Sequence, residues 1–183
     1  TADDIIIGTS TNDTITVALN KKTVTGGAGD DEFIFVAGNS VEGNMTKITD
    51  YQAKAAAFDN DTLGVINTAL VTNATIDVSG IGSIFADKSQ IVNAVVKDGV
   101  MKLSGLSTDV ALANTLAEMI DIAEFVAYNT ATTPDNLAFE FGGNTYLLST
   151  TNTDTTDLIV ELTGLTGITA VGTAAADNTI LIA

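Results

Sequence analysis

The sequence predicts a mainly β fold, in which a short parallel roll of nine-residue repeats continues into a β-rich region with one or two helices packed on it. Residue usage is the first reason, because Thr, Val, Ile, Asn, Asp, Ala and Gly dominate and there is a single Pro. The second is periodicity: large apolar residues recur every nine positions at Ile6, Ile15, Val24 and Phe33. The third is that one stretch, residues 108–128, carries the three- and four-residue apolar spacing of a helix, whereas most other apolar residues alternate or fall in short blocks.

The periodic start is organised around Gly26-Gly27-Ala28-Gly29-Asp30-Asp31-Glu32-Phe33-Ile34. This stretch fits the nonapeptide G-G-x-G-x-D-x-U-x, with U a large apolar residue, the pattern of calcium-binding parallel β-rolls. Glycines let the backbone take positive φ and bring carbonyl oxygens close to a cation. The Asp adds a hard carboxylate oxygen, and Ca2+ takes six to eight such oxygens at flexible geometry. Counting back from Asp31 in nines reaches Lys22, Asp13 and Asp4, so Gly8 to Ile15 is a weakened repeat and Ala2 to Ile6 the tail of an earlier one. Turns two repeats apart fall on one edge of such a roll. Asp13 and Asp31 should therefore share one edge, and Asp4 and Lys22 the other. One Ca2+ site is expected on the first edge, with Gly8, Thr11, Asp13, Gly27, Gly29 and Asp31 as candidate ligands. A poor or absent site is expected beside Lys22, whose ammonium stands where a carboxylate belongs. The competing reading is an ordinary Asp/Gly turn with Asp30 and Asp31 solvated.

Composition narrows the function classes. The chain has 183 residues, 23 acidic and 7 basic, and a net charge of −16, with no His, Cys or Trp. So negative a chain is a poor partner for nucleic acid or an anionic membrane surface. Without Cys there is no disulfide or thiolate chemistry, and without His the usual general base and zinc ligand are missing. No apolar run reaches membrane-spanning length, and no N-terminal signal peptide is evident. The chain begins in mid-repeat, as a C-terminal piece of something longer would.

Beyond the nonapeptide, Glu32-Phe33-Ile34-Phe35, then Ile48-Thr49-Asp50-Tyr51, then Asp61-Thr62-Leu63 follow in order. This resembles the D-x-F-x-F, I-x-D-F, D-x-L continuation of RTX (repeats-in-toxin) proteins exported by the bacterial type I pathway, with Glu32 and Tyr51 as mild departures. The resemblance implies that residues 1–63 form the roll and its closing strands. It also implies a further calcium site there, which makes Asp50, Asp59 and Asp61 secondary metal candidates, with turn-capping carboxylates as the alternative.

Residues 64–183 form the second predicted region. Residues 64–86 read as strands and turns. Ser89–Lys97 reads as a short helix with Gly99 as C-cap, although the Val95-Val96 pair suits a buried strand nearly as well. Val100–Leu103 alternates as a strand. The helix near 108–128 carries Leu112, Leu116, Met119, Ile120, Ala123 and Val126 on one side, the face of a helix that covers a core. Residues 138–141 and 145–148 form a hairpin about Gly142-Gly143-Asn144. Asp157–Leu165 follows, and Thr179–Ala183 ends the chain as an apolar strand similar to type I export signals. The G-x-T-Y and D-x-I-V-x-L-T-G segments resemble the terminal domain of RTX surface and S-layer proteins.

No catalytic constellation is present: Ser–His pairing is impossible, there is no Cys nucleophile, and no glycine-rich phosphate loop stands at a strand-to-helix turn. The resulting expectation is a non-enzymatic, calcium-binding structural domain of a secreted bacterial cell-surface protein, most like an S-layer protein. Such a domain would self-associate in a lattice, with surface polysaccharide as a further partner. The alternatives are an adhesin or carbohydrate-binding segment of a large RTX protein, and the export and folding domain of a secreted hydrolase.

Overall fold

The structure is a computed structural model that describes residues 3–18, 22–36, 38–53, 60–65, 69–79, 81, 92–104, 115–130, 135–150, 157–173 and 179–183. The fold is mainly β with one helix among the described residues. Its first six strands are β1 (Asp4–Ile7), β2 (Thr14–Val17), β3 (Lys22–Thr25), β4 (Glu32–Phe35), β5 (Thr46–Ile48) and β6 (Thr62–Gly64). They alternate between two sheets. β1, β3 and β5 pair in parallel in one, and β2, β4 and β6 in the other.

The apolar period of nine explains this alternation. Each four-residue strand turns one set of side chains inward, and each intervening turn carries the chain to the opposite sheet. Ile15, Val17, Val24, Phe33, Phe35, Ile48 and Leu63 all meet in one buried cluster between the sheets. Asp4 pairs with Lys22 and Thr14 with Glu32, the 18-residue step read from the sequence. The step then lengthens: Thr25 reaches Thr49 across 24 residues, and Asp31 reaches Asp61 across 30.

The remaining strands extend both sheets. They are β7 (Ala74–Asp77), β8 (Asn93–Lys97), β9 (Val100–Ser104), β10 (Asn136–Phe141), β11 (Asn144–Ser149), β12 (Leu158–Leu162), β13 (Val171–Thr173) and β14 (Thr179–Ile182), with helix α1 (Leu116–Thr130) between β9 and β10. One mixed sheet runs β1-β3-β5-β12-β11-β10-β9-β8-β7, and the other β13-β14-β6-β4-β2. α1 lies on the outer face of the nine-stranded sheet, so β10 to β12 are covered on both faces. Their near-continuous apolar runs follow from that. Leu147, Leu158, Val160, Ile180 and Ile182 join the same buried cluster as the first six strands.

Several elements match the sequence reading. α1 buries Met119, Ile120, Ala123 and Val126, with Ile122 and Ala127 beside them. Its start is set by a capping box: Glu118 N–H donates to Thr115 Oγ1 at 3.2 Å, and Thr115 N–H donates to Glu118 Oε2 at 3.0 Å. Residues 108–114 of the expected helix lie outside the described residues. The 138–148 hairpin forms with a two-residue Gly142-Gly143 turn, both at positive φ, and Asn144 already pairs with Phe141.

One expectation is corrected. Asn93–Lys97 is not helical but a strand, antiparallel to both β7 and β9; residues 89–91 lie outside the described residues. Asp98-Gly99, with φ of 51° and 75°, makes the tight hairpin turn into β9. The glycine that could cap a helix thus closes a hairpin. Ala94 and Val96 face the α1 side while Val95 faces the other, which is strand alternation. No helix among the described residues is long and apolar enough to cross a membrane.

Candidate metal centre

The turn carrying Gly27, Gly29 and Asp31 lies directly on the turn carrying Gly8, Thr11 and Asp13. Gly27 shows why glycine is needed: φ is 110°, and an added Cβ would stand 1.7 Å from the Thr9 carbonyl oxygen. A Cβ at Gly8 would likewise come within 2.1 Å of the Gly26 oxygen. Ala28 N–H donates to Thr9 O at 3.2 Å, and Gly8 N–H to Thr25 O at 2.8 Å, so the turns are stitched backbone to backbone.

Carboxylates run along this edge as a ladder. Asp31 Oδ1 accepts the Asp13 N–H at 2.9 Å, and Asp61 Oδ1 accepts the Asp31 N–H at 3.0 Å. Asp61 Oδ2 takes the Gln52 N–H at 2.7 Å. The two oxygens of Asp50 accept the N–H groups of Gly26 and Gly27, both at 2.9 Å. Asp13 stays within its own turn, its Oδ2 accepting from Thr9 N–H at 2.6 Å and Thr9 Oγ1 at 2.8 Å. Thr11 closes that turn through its Oγ1, 3.1 Å from Thr9 Oγ1.

Sequence reasoning therefore selected carboxylates that the fold does gather, although Asp50 and Asp61 arrive by longer excursions than the nine-residue phase. Asp59 lies outside the described residues. On the other edge Lys22 is buried and ion-paired with Asp4.

Burial and neighbouring carboxylates set the electrostatics of this edge. Asp31 is 2% exposed and Asp61 also 2%. Burial raises the Asp31 carboxyl above its ordinary value; the Asp13 N–H opposes this, and the charges of Asp13, Asp50 and Asp30 add to it. Burial pushes Asp61 up to about 6, against the N–H bonds from Gln52 and Asp31, with the Asp31 and Asp50 charges raising it further.

Four contributors were missed. Thr9 caps Asp13, and Asn12 Oδ1 accepts the Asp30 N–H at 3.1 Å. Tyr51 donates to Asp61 O at 2.8 Å and accepts the Ile182 N–H at 3.3 Å, tying the site to the last strand. Asn60 N–H donates to Asp30 Oδ1 at 2.6 Å, while its own Oδ1 is buried with no hydrogen-bond partner. The Asx-rich spelling of residues 9–13 and 59–61 was the available signal.

The donors on this edge are all hard oxygens: carboxylates, hydroxyls, one orphaned amide oxygen and turn carbonyls. That chemistry suits Ca2+ and not a thiophilic metal. Among the described residues no three acidic side chains stand close enough to hold a metal by themselves, so a cation would also depend on backbone and amide oxygens. No protein-family model, no curated protein and no solved structure matches the chain.

Proposed function

We propose that this chain is a non-catalytic, calcium-binding structural domain of a secreted bacterial cell-surface protein of the S-layer type, which folds and assembles on extracellular Ca2+. One observation carries the calcium reading: Asp13, Asp31, Asp50 and Asp61 are gathered along one edge beside two nested glycine turns, with the buried oxygen of Asn60 unsatisfied at the same place. Gly8, Thr11, Asp13, Gly27, Gly29 and Asp31 would hold the ion between the two turns, and Asp50, Asp61 and Asn60 would hold one farther along. The parallel two-sheet coil with its 18-residue step is then a short calcium-binding β-roll. Bound Ca2+ supplies the positive charge that this carboxylate row lacks.

Without that charge, Asp13, Asp31 and Asp50 repel one another, and Asp31 and Asp61 carry the cost of burial as ions. The turns are then weakly held, which suits export of a loose chain from a calcium-poor cytosol. Where the site is loaded, the folded state gains by mass action and the turns close on each other. The export and S-layer parts of the reading rest on the family resemblance and on the excess of acid.

Calorimetric titration with calcium chloride, alongside circular dichroism in EDTA, tests the reading. Binding accompanied by a gain of β signal and of melting temperature supports it. An unchanged fold and melting temperature in EDTA would sink it. One observation favours a second reading: most of these carboxylate oxygens already accept a backbone N–H, as a metal-free stack of capping aspartates would require.

A further inference from the structure

Seven lysines serve a chain of net charge −16. Among the described residues Lys22 pairs with Asp4 and Lys47 with Glu161. Lys97 and Lys102 form no such pair with a described residue, and both are exposed. They lie on the same face of the β8–β9 hairpin, because Val95 is opposite Lys102 and Lys97 is opposite Val100. Diagonal neighbours of this kind stand roughly 7–8 Å apart. The segment leading into β13 runs beside this hairpin, with Val171 N–H donating to Asp98 O at 2.8 Å. A groove of about 340 Å3 opens there, lined by both lysines with Val95, Val100, Ile168 and Thr169. Glu140, next in step beside Lys102, accepts the Ile168 N–H at 2.8 Å through Oε1, which turns that oxygen toward the 168–169 segment.

We propose that this groove is the receiving half of a head-to-tail contact whose occupant is the acidic turn of a second copy of this chain, centred on the exposed Asp30. The proposal rests on the self-assembly part of the function above and names its surfaces. Charge complementarity is the first argument, since the groove gathers two exposed ammonium groups and the turn presents Asp30, an exposed carboxylate outside the proposed ion ligands. Placement is the second. β3, which leads into the acidic turn, is second from one edge of the nine-stranded sheet, and β8 is second from the other. Two surfaces at opposite ends of one molecule meet head to tail, a contact that either closes into a ring or runs on as an open chain. Among the described residues the lining has no aromatic ring on which a sugar face could stack, which favours a protein carboxylate over a glycan.

The test is sedimentation velocity of the full chain in calcium chloride at low ionic strength, with folding checked by circular dichroism. The mean mass of the wild type should rise with concentration, and the rise should fade as sodium chloride screens the contact. The double variant K97E/K102E should require at least about tenfold more protein to associate, and so should Asp30→Lys. An equimolar mixture of the two should regain association, because the reversed charges again complement each other. A wild type that stays monomeric, undiminished association of K97E/K102E, or failure of the mixture would each overturn the proposal. So would a monomeric wild type that binds polygalacturonate through the lysines, since the groove would then be a glycan site. Calcium heat retained in K97E/K102E separates this outcome from failure of the calcium reading, which the wild-type titration decides alone.

Discussion

The carboxylate of Asp31 accepts the backbone N–H of Asp13 at 2.9 Å, across 18 residues of sequence. One side chain thereby locks two successive coils, and the Asp31 N–H is in turn bound by Asp61. The same oxygens are wanted by a cation and by the backbone, so charge and hydrogen-bond capacity can be separated by substitution. Asp31→Asn keeps an acceptor for Asp13 while removing the charge; Asp31→Ala removes both. In EDTA the Ala variant should lose about 1 kcal/mol, the low end of the range for a donor left without its acceptor, because the Asp13 N–H is only partly buried, whereas the Asn variant should melt at or above the wild type. In calcium both should lose the stabilisation that the wild type gains. Thermal melts of the three proteins with and without the ion decide this, and an Asn variant that keeps the full calcium response would remove Asp31 from the site.

Asp61 gives the metal-free protein a distinct pH profile. Its folded-state pKa is pushed up to about 6, above the roughly 3.9 of an unfolded aspartate. The folded state therefore holds the proton more tightly, and the stabilisation is fully present below about pH 4 and lost as pH rises through about 6. Asp31 shifts in the same direction. In chelator, the melting temperature should be higher at pH 5 than at pH 7.5, opposite to the usual behaviour of paired carboxylates. Asp61→Asn should flatten the difference. A wild-type melting temperature that rises across that interval would contradict the raised value.

Gly27→Ala tests whether the turns must nest. The residue sits at φ 110°, and its Cβ would stand 1.7 Å from Thr9 O, a backbone atom that cannot swing aside. Left-handed strain alone costs about 1–3 kcal/mol in a non-glycine residue, and separating the turns adds to it. The variant should lose calcium heat as well as stability. Gly142→Ala is the control, because an added Cβ there meets nothing within 4 Å; it should lower the melting temperature and leave calcium binding intact.

The N-terminal coils were legible because their information is local. A turn of glycine and Asx residues, a four-residue strand and one large apolar side chain repeat every nine positions, so phase alone aligned Asp4 with Lys22 and Asp13 with Asp31. Asp50 and Asp61 reach the same edge through steps of 24 and 30 residues, where no phase survives, and only the family resemblance pointed to them. β8 was misread because Gly99 is equally suited to ending a helix and to turning a hairpin, and only the partners β7 and β9 decide between them. The Thr115–Glu118 capping box was readable as T-x-x-E and marks the start of α1 better than apolar spacing does. The orphaned oxygen of Asn60 has no sequence signature, because it depends on what surrounds it.

Pairing between Lys47 and Glu161, 114 residues apart, also lay beyond sequence reasoning. They are direct cross-strand partners in the parallel pairing of β5 with β12, the junction between the early coils and the C-terminal strands. Lys47 Nζ stands 2.9 Å from Glu161 Oε2 and 3.1 Å from Oε1, and Oε1 also accepts from Asn144 Nδ2 at 3.1 Å. The glutamate side chain is 5% exposed and the lysine 41%, so the lysine keeps contact with water while the glutamate depends on its partners. Lys47→Met should therefore destabilise by about 1–2 kcal/mol, below the 3–5 kcal/mol of a fully buried pair, with part of the loss recovered in Lys47→Met/Glu161→Leu. A double-mutant cycle by urea unfolding measures the coupling. If the double variant is as unstable as the sum of the singles, the pair is not coupled and the register of β5 on β12 is held by Val160, Leu162 and Ile48 alone.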